Sequence, residues 1–257
     1  MSLELLYRLY ERRLSAHLRR SRLPRHIGVV VDGNRRYARA HGHEVSAGHR
    51  EGAQKIHELL DWCHELGIRY VTIWLLSTDN LRRDAAEVGN LYEIIGETVA
   101  WIGTDPANAA RGVKVTCVGA LDMLPDDLRH QMKEAEQASA ERDRMHVQVA
   151  VGYGGRQEIT EALRRLLLSA HEQGQSVDEI AEGLSPEAIA EHLYTNGVPD
   201  PDLIIRTSGE IRLGGFLMWQ SVHSEFYFCD PYWPEFRKTD FLRALREFAS
   251  RHRRYGH

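Results

Sequence analysis

The hydrophobic and polar positions of this chain follow two alternating patterns. Short apolar runs, such as HIGVVV (26–31) and RYVTIWLL (69–76), are typical of strands that are buried on both faces. Longer segments carry apolar residues three and four positions apart, as in GHREGAQKIHELLDWCHEL (48–66), which Gly67 follows as a C-cap. Strands that alternate with helices in this way predict a parallel sheet with helices on both faces.

The pattern as a whole predicts one α/β domain, residues 1–257, built on a central, mostly parallel six-stranded sheet flanked by helices. No linker and no internal repeat divides the chain. The predicted strands are 26–31, 69–76, 112–119, 146–155, 202–210 and 225–229. The predicted helices are 3–20, 48–66, 85–102, 125–142 and 156–170, then one that opens at Ser185 and Pro186 and one that begins at Thr239.

The predicted N-terminal helix, 3–20, is amphipathic and carries arginines between its apolar positions. Packing of its apolar face on the body of the protein is favoured, and peripheral contact with a membrane is the alternative. The chain has no signal peptide and no apolar run near 18 residues, so we expect a soluble, cytoplasmic protein. The formal net charge of −4 argues against a protein that binds nucleic acid by bulk charge.

The cysteines and histidines do not predict a metal centre. Cys63, Cys117 and Cys229 lie far apart without metal-ligand spacing, which favours reduced, structural thiols. HGHEVSAGH (41–49) is rich in histidine, but no cysteine or carboxylate pair completes a ligand set and HExxH is absent. A histidine-based metal site is therefore disfavoured.

Polar segments follow four of the predicted strands. They are DGNRR (32–36), STDNLRRD (77–84), GYGGR (152–156) and RTSGEIR (206–212). Ligands of open α/β sheets bind at the carboxyl ends of the strands, so we expect these segments to meet around one site.

The composition of these segments suits a phosphorylated ligand. Arginine holds phosphate oxygens in a bidentate fork, and several arginines at strand ends are atypical of isolated surface salt bridges. The phosphate-loop motif GxxxxGK[ST] and the dinucleotide fingerprint GxGxxG are both absent. His49 is predicted at a helix start, where free N–H groups favour an anion. The candidate anion ligands are Arg35, Arg36, Arg83, Arg206 and Arg212, and the glycines that would permit close backbone approach are Gly33, Gly209, Gly214 and Gly215.

Two carboxylates are candidate ligands of a phosphate-bound Mg²⁺. Asp32 directly follows the first strand and precedes a glycine and two arginines. Mg²⁺ commonly takes one or two protein carboxylates and keeps several waters. Glu225, at the start of the sixth strand, is the second candidate, with a solvated edge residue as the alternative reading.

Five motifs closely resemble those of the cis-prenyltransferases, also called undecaprenyl diphosphate synthase-like enzymes. They are HIGVVVDGNRRYA, LLSTDNLRRD, VGYGGRQEI, DLIIRTSGEIRLGGF and LMWQSVHSEFYF, in the family's order, and the likeness runs from about Pro24 to the C-terminus. The resemblance implies a homodimer that condenses isopentenyl diphosphate with an allylic diphosphate, geranyl or farnesyl diphosphate, with Mg²⁺. The allylic diphosphate ionises at C1, the double bond of isopentenyl diphosphate attacks the cation, and a proton leaves C2 to give a cis double bond.

The resemblance also implies roles for individual residues. Asp32 matches the catalytic aspartate that handles Mg²⁺ and the diphosphate, and Glu225 matches the second metal-linked carboxylate. Asn80 matches the asparagine proposed to assist proton removal, with Ser77 nearby. The residues that match the loop around the allylic diphosphate are Gly33, Asn34, Arg35, Arg36 and His49. The other residues expected to bind substrate are Tyr37, Thr78, Asp79, Leu81, Arg83, Arg206, Arg212 and Gly214, with Arg254 and Gly256 of a C-terminal R-x-G that reaches the partner subunit's site.

Some positions depart from the family pattern. Tyr37 and Leu81 stand where tryptophan is common, Asp79 stands where glutamate is common, and Val45 replaces a frequent arginine. Gly214 replaces a serine, a loss of about one hydrogen bond, roughly 1 kcal/mol. None of these changes removes the central aspartate or the arginines that follow the fifth strand, so activity is expected.

Leu75 and Leu76, directly before STDN, predict a short product. Long-chain members commonly have alanine and then phenylalanine there, and leucine in place of alanine adds three carbons to a packed tunnel wall. The chain also resembles the short-chain Z-farnesyl diphosphate synthases, so we expect a C15 product from geranyl diphosphate and one isopentenyl diphosphate. The alternatives are a tunnel set by the helix around 91–99, a long-chain decaprenyl or undecaprenyl diphosphate synthase, and a non-catalytic subunit of a prenyltransferase complex.

Overall fold

The computed structural model describes residues 3–251 and is built around one six-stranded sheet. Its strands are β1 (His26–Val30), β2 (Tyr70–Ser77), β3 (Val113–Val118), β4 (Met145–Tyr153), β5 (Leu203–Arg206) and β6 (Glu225–Phe228). The strand order is β3-β4-β2-β1-β5-β6, and each neighbouring pair is parallel. The predicted α/β class and six-stranded sheet are confirmed, and the sheet is parallel throughout.

Helices flank this sheet and connect its strands. They are α1 (Leu3–Leu18), α2 (Asn34–Ala40), α3 (Val45–Leu66), α4 (Ala85–Thr104), α5 (Pro106–Arg111), α6 (Asp126–Ser139), α7 (Gly155–Glu172), α8 (Val177–Gly183), α9 (Pro186–Ala190) and α10 (Lys238–Ser250). Short 3₁₀ helices occupy Asp79–Arg82, Leu121–Met123 and Trp233–Glu235. The seven predicted helices correspond to α1, α3, α4, α6, α7, α9 and α10.

The helices α2, α5 and α8 were not predicted. They have seven, six and seven residues, which is too short for an apolar period to emerge. A local signal does mark α8, because Ser176 and Glu179 form a capping box at its start. The missed α2 matters most, since it carries the arginines that follow β1.

The long helix α3 begins earlier than the pattern predicts. Its first residue is Val45, so His49 lies in the second turn and not among the free N–H groups of the first. The prediction that His49 lies at the start of a helix is therefore wrong, whereas its contact with an anion stays a prediction. The predicted end is confirmed, because Gly67 caps the helix with a left-handed φ of 73°.

The N-terminal helix α1 packs against α10, as its amphipathic pattern predicts. Leu14 and Leu18 of α1 are buried in the main core. The helix ends at residue 18, two residues before the predicted end. None of the helices within residues 3–251 has the length and apolar character needed to cross a membrane.

β1 lies at the centre of the sheet, where the order of the strands reverses. All five of its residues are buried, and it pairs with β2 on one side and with β5 on the other. The chain leaves its carboxyl end between these two neighbours, which is where ligand crevices form in open α/β sheets. Asp32, which follows β1, therefore lies in this crevice.

Candidate active site

A cleft of about 500 Å³ lies at the carboxyl ends of β1, β2 and β5. Side chains that follow these strands meet there with side chains from α2, α3 and α4. The predicted site residues that line it are Asp32, Gly33, Asn34, Arg35, Arg36, His49, Ser77, Asp79, Asn80, Arg83, Arg206, Arg212 and Gly214. The fourth predicted segment, GYGGR, does not line this cleft. It contacts the loop that carries Gly214 instead, because the Gly155 N–H donates to the Gly215 carbonyl at 2.8 Å.

The backbone of Asp32 is held by the segments after β5 and β6. Its N–H donates to Thr207 Oγ1 at 3.1 Å, and the Thr207 hydroxyl donates to the Asp32 carbonyl at 2.8 Å. The Trp233 N–H donates to the same carbonyl at 3.0 Å. These bonds position the carboxylate before any ligand arrives.

The carboxylate of Asp32 lies between two guanidinium groups. Arg206 Nη2 is 2.8 Å from Oδ2, and Arg36 Nη2 is 3.4 Å from Oδ1. Burial alone would raise the pKa of Asp32, but the hydrogen bond and charge of Arg206, with the charge of Arg36, hold that pKa below its usual value. Asp32 is therefore an anion at neutral pH.

Arg36 is held in place by residues of the RTSGEIR segment. Its Nη2 donates to Ser208 Oγ at 2.7 Å, and its Nη1 donates to Glu210 Oε1 at 3.1 Å. Glu210 also accepts a hydrogen bond from Arg212, whose carbonyl accepts from Arg206. One carboxylate thus bridges the arginine after β1 and an arginine after β5.

A second cationic group surrounds Glu87 of α4. Its Oε1 lies 2.9 Å from Arg83 Nη1, 3.5 Å from Arg35 Nε and 3.7 Å from His49 Nε2. The pKa of His49 is lowered, mainly by burial and also by the charges of Arg83 and Arg35. Glu87 raises this pKa but does not offset the other effects. His49 is therefore neutral at pH 7 and acts as a hydrogen-bonding group.

Several buried polar atoms of cleft residues have no hydrogen-bond partner among the described residues. They are the donors Arg35 Nε, Arg206 Nε and Trp74 Nε1, with His49 Nε2 and the acceptor Asn34 Oδ1. Unpartnered buried polar groups are costly. The two of these donors that belong to arginines carry the positive charge that suits an anion with several oxygens, such as a diphosphate.

Two glycines of the cleft have left-handed backbones. Gly33 has a φ of 104°, and a Cβ there would lie 2.8 Å from Tyr232 Cδ1. Gly214 has a φ of 67°, and a Cβ there would lie 3.1 Å from Arg206 Nη1. Gly33 is required by the sharp turn from Asp32 into α2. At position 214 a serine would be strained in this conformation.

One wall of the cleft is apolar. Leu75 of β2 and Leu91 of α4 line it, together with Trp74, whose ring stacks on Phe216 at a centroid distance of 5.2 Å. Leu76 is different, because its side chain is 1% exposed and lies in the main core. Of the two leucines singled out in the sequence, only Leu75 contacts the cleft.

Three predicted substrate-binding residues lie outside the lining of the cleft. The Tyr37 hydroxyl donates to Glu51 Oε2 at 2.6 Å, and Leu81 packs against the main core. The Thr78 N–H donates to the Tyr153 carbonyl at 3.1 Å, which ties the loop after β2 to β4.

Glu225 is not brought to Asp32. It is the first residue of β6 and pairs with Leu203, the first residue of β5, so it lies at the amino edge of a parallel sheet. Its Oε2 accepts a hydrogen bond from Arg251. Strand direction therefore separates the two carboxylates within this chain, and the metal role of Glu225 stays a prediction. Within residues 3–251, no cluster of three or more His, Cys, Asp and Glu side chains has the geometry of a metal centre.

The predicted Arg254 and Gly256 lie outside the described residues. Two further residues, Arg39 and Glu87, belong to the site or its surroundings but were not predicted from the sequence. Arg39 lines the cleft one helical turn after Arg35, a spacing that would have singled it out had α2 been recognised. Glu87 carried no signal, because an acid near a helix start is ordinary.

Comparisons with known proteins agree with this geometry. A family model described as "Putative undecaprenyl diphosphate synthase" matches residues 30–256. The chain is 55% identical over 252 residues to a (2Z,6E)-farnesyl diphosphate synthase of Thermobifida fusca, covering 98% of this chain and 97% of that protein. It is 51% identical over 256 residues to a short-chain Z-isoprenyl diphosphate synthase of Mycobacterium bovis, covering 98% and 96%. A similar solved structure is lavandulyl diphosphate synthase from Lavandula x intermedia in complex with dimethylallyl diphosphate, with a TM-score of 0.83, 32% identity, and coverage of 91% of this chain and 99% of that one.

Proposed function

Because the chain belongs to the undecaprenyl diphosphate synthase family of cis-prenyltransferases, we propose that it condenses isopentenyl diphosphate with an allylic diphosphate into a short Z-prenyl diphosphate of the C15 type. One observation carries the proposal: the cleft joins a cationic wall around an ionised Asp32 to an apolar wall that contains Leu75. The first suits a diphosphate and the second suits a prenyl chain. Two relatives named for short Z-products support the product class.

The allylic diphosphate is assigned to the loop after β1. Gly33, Asn34, Arg35, Arg36 and His49 all line that part of the cleft. Pyrophosphate leaves slowly until its charge is neutralised. Guanidinium and backbone donors aimed at the departing oxygens stabilise ionisation at C1 more than the bound ground state.

Isopentenyl diphosphate is assigned to Arg206 and Arg212. Both arginines line the cleft, and their guanidinium groups suit diphosphate oxygens, which supports this assignment. Asn80 is assigned to assist loss of the C2 proton, and its N–H donates to Ser77 Oγ at 3.1 Å, which orders the loop after β2.

Asp32 is the side chain that would hold Mg²⁺. Its ionised carboxylate suits a hard cation, which commonly takes one protein carboxylate and completes its shell with water and diphosphate oxygens. When bound, Mg²⁺ would supply positive charge to the leaving diphosphate. Arg36 and Arg206 already orient the carboxylate that would meet it.

A homodimer is part of the proposal. The C-terminal R-x-G of the sequence motivates it. In support, β6 lies at the edge of the sheet and each of its four residues is partly exposed, which leaves a strand edge that a second copy would cover. Contact of the arginine-bearing α1 with a membrane surface stays a prediction.

A primer panel tests the proposed function. The purified protein is incubated with radiolabelled isopentenyl diphosphate, Mg²⁺ and, in separate reactions, dimethylallyl, geranyl or farnesyl diphosphate. We expect incorporation of label with geranyl diphosphate as the best primer. No incorporation with any primer would refute an enzyme and favour a non-catalytic subunit.

A further inference from the structure

Ser208 has a backbone conformation that serine rarely adopts. Its φ is 77°, and Leu217 is the other non-glycine residue with a positive φ among residues 3–251. The Ser208 N–H donates to the Pro231 carbonyl at 2.8 Å, and the Gly209 N–H donates to the Cys229 carbonyl at 2.9 Å. The segment after β6 thus imposes the turn, and a glycine at this position would adopt it without strain.

The Ser208 side chain makes a contact that glycine could not make. Its Oγ accepts a hydrogen bond from Arg36 Nη2 at 2.7 Å. The Ser208 carbonyl also lies 3.4 Å from Arg36 Nη1. Only 7% of Ser208 is exposed, so the hydroxyl itself is largely removed from water.

The contact is the shortest of the hydrogen bonds that fix the direction of the Arg36 side chain. The Arg36 side chain is 40% exposed, and its guanidinium also contacts Glu210 Oε1 at 3.1 Å, Asp32 Oδ1 at 3.4 Å and the ring of Tyr232 at 5.7 Å. A long arginine loses rotamer entropy when a ligand immobilises it. If Ser208 already holds the Arg36 side chain in the free protein, much of this rotamer entropy is lost before the substrate binds.

We propose that Ser208 is a positioning residue, which holds Arg36 in the orientation needed to bind the allylic diphosphate. The strained backbone is the cost of placing a hydroxyl at that point. This inference rests on the proposed function, because it takes Arg36 as a ligand of the allylic substrate.

Two substitutions separate the hydroxyl from the strain. Ser208→Ala and Ser208→Gly both remove Oγ, but only the glycine variant relaxes the backbone. In both variants we expect the Kd and KM for geranyl diphosphate to rise about fivefold to tenfold, as for the loss of one ordinary hydrogen bond. We expect the KM for isopentenyl diphosphate to stay within about twofold. The glycine variant should melt about 2–4 °C above the alanine variant, because only the alanine retains the strain.

Ser139→Ala is the matched control. Ser139 is a fully buried serine of α6, and its Oγ accepts from the Val115 N–H at 3.0 Å and donates to the Ala135 carbonyl at 2.9 Å. It does not line the cleft. Its loss should lower the melting temperature and leave both KM values unchanged, as expected for a purely structural serine.

The outcomes are distinct. Calorimetric titration with geranyl diphosphate gives Kd without turnover, and a wild-type Kd in both Ser208 variants would overturn the inference. An equal rise in KM for both substrates would also overturn it, since that indicates general loosening of the site. If the wild-type protein itself neither binds geranyl diphosphate nor turns it over, the proposed function fails, and this inference fails with it.

Discussion

Replacing Leu75 by alanine should lengthen the product. Leu75 and Leu91 form part of the apolar wall of the cleft, so a shorter side chain leaves space where the growing prenyl chain ends. We expect the wild-type enzyme to stop at C15 and the Leu75→Ala enzyme to release C20 product as well.

The magnitude follows from the three carbons that the substitution removes. If the growing chain fills that space, it buries up to three further carbons at about 0.8 kcal/mol each, about 2.4 kcal/mol in total. A difference of that size corresponds to about a 60-fold increase in the ratio of C20 to C15 product. This is an upper limit, because an isoprene unit has five carbons and the wall relaxes in part.

The neighbouring Leu76→Ala variant is the control. Leu76 is 1% exposed and lies in the core, so its truncation should cost about 3 kcal/mol of unfolding free energy. Truncation of the partly exposed Leu75 should cost only about 1 kcal/mol of unfolding free energy. Product lengths are compared by reversed-phase chromatography after dephosphorylation, and stabilities by urea unfolding. The reasoning is refuted if both variants keep the wild-type product, or if Leu76→Ala lengthens it as much as Leu75→Ala.

Three further predictions concern the metal, the pH dependence and the C-terminus. Asp32→Ala should lower kcat at least about a hundredfold, and chelation of Mg²⁺ should also abolish turnover. The same variant should lose about 1–2 kcal/mol of unfolding free energy, because it removes the carboxylate that pairs with Arg206. A near-normal kcat of the variant in steady-state assays would contradict the role assigned to Asp32. Burial lowers the pKa of His26 to about 4, whereas the unfolded chain binds a proton at this histidine below about pH 6.5. The free energy of unfolding therefore keeps its full value above about pH 6.5 and falls as the pH is lowered from 6.5 to 4. Urea unfolding from pH 7 to 4 should show a loss of about 3 kcal/mol from this group, and a His26→Gln variant with the same slope would rule it out. Deletion of residues 252–257 should raise the KM for isopentenyl diphosphate more than that for geranyl diphosphate, and an unchanged KM for isopentenyl diphosphate would count against the predicted role of Arg254.

The sheet could be predicted because β1, β4 and β5 are buried almost throughout, on both faces. β1 is apolar and wholly buried, and that gives the continuous run that the sequence displays. The convergence of distant polar segments was also predictable, since parallel strands end at one edge. Asp32 and Arg206 are 174 positions apart and still form a 2.8 Å ion pair. The rule that ligands bind at the carboxyl ends of parallel strands identifies the site, although no local sequence pattern reveals the ion pair between Asp32 and Arg206.

Other features depend on tertiary geometry that no local pattern contains. The resemblance assigned Glu225 to the metal, but the direction of β6 puts it at the opposite edge from Asp32. The left-handed backbone of Ser208 is imposed by hydrogen bonds to the segment after β6. Glu87 of α4 meets His49 only because that helix packs beside α3. These positions require the folded chain.

The central claim is that this cleft joins one isopentenyl unit to geranyl diphosphate and then releases the product. The most direct measurement uses the wild-type enzyme with geranyl diphosphate, excess isopentenyl diphosphate and Mg²⁺, with the product analysed by mass spectrometry and its new double bond by NMR. We expect mainly a C15 diphosphate with a Z configuration at the new double bond. Mainly C50–C55 chains, or an E configuration, would contradict it.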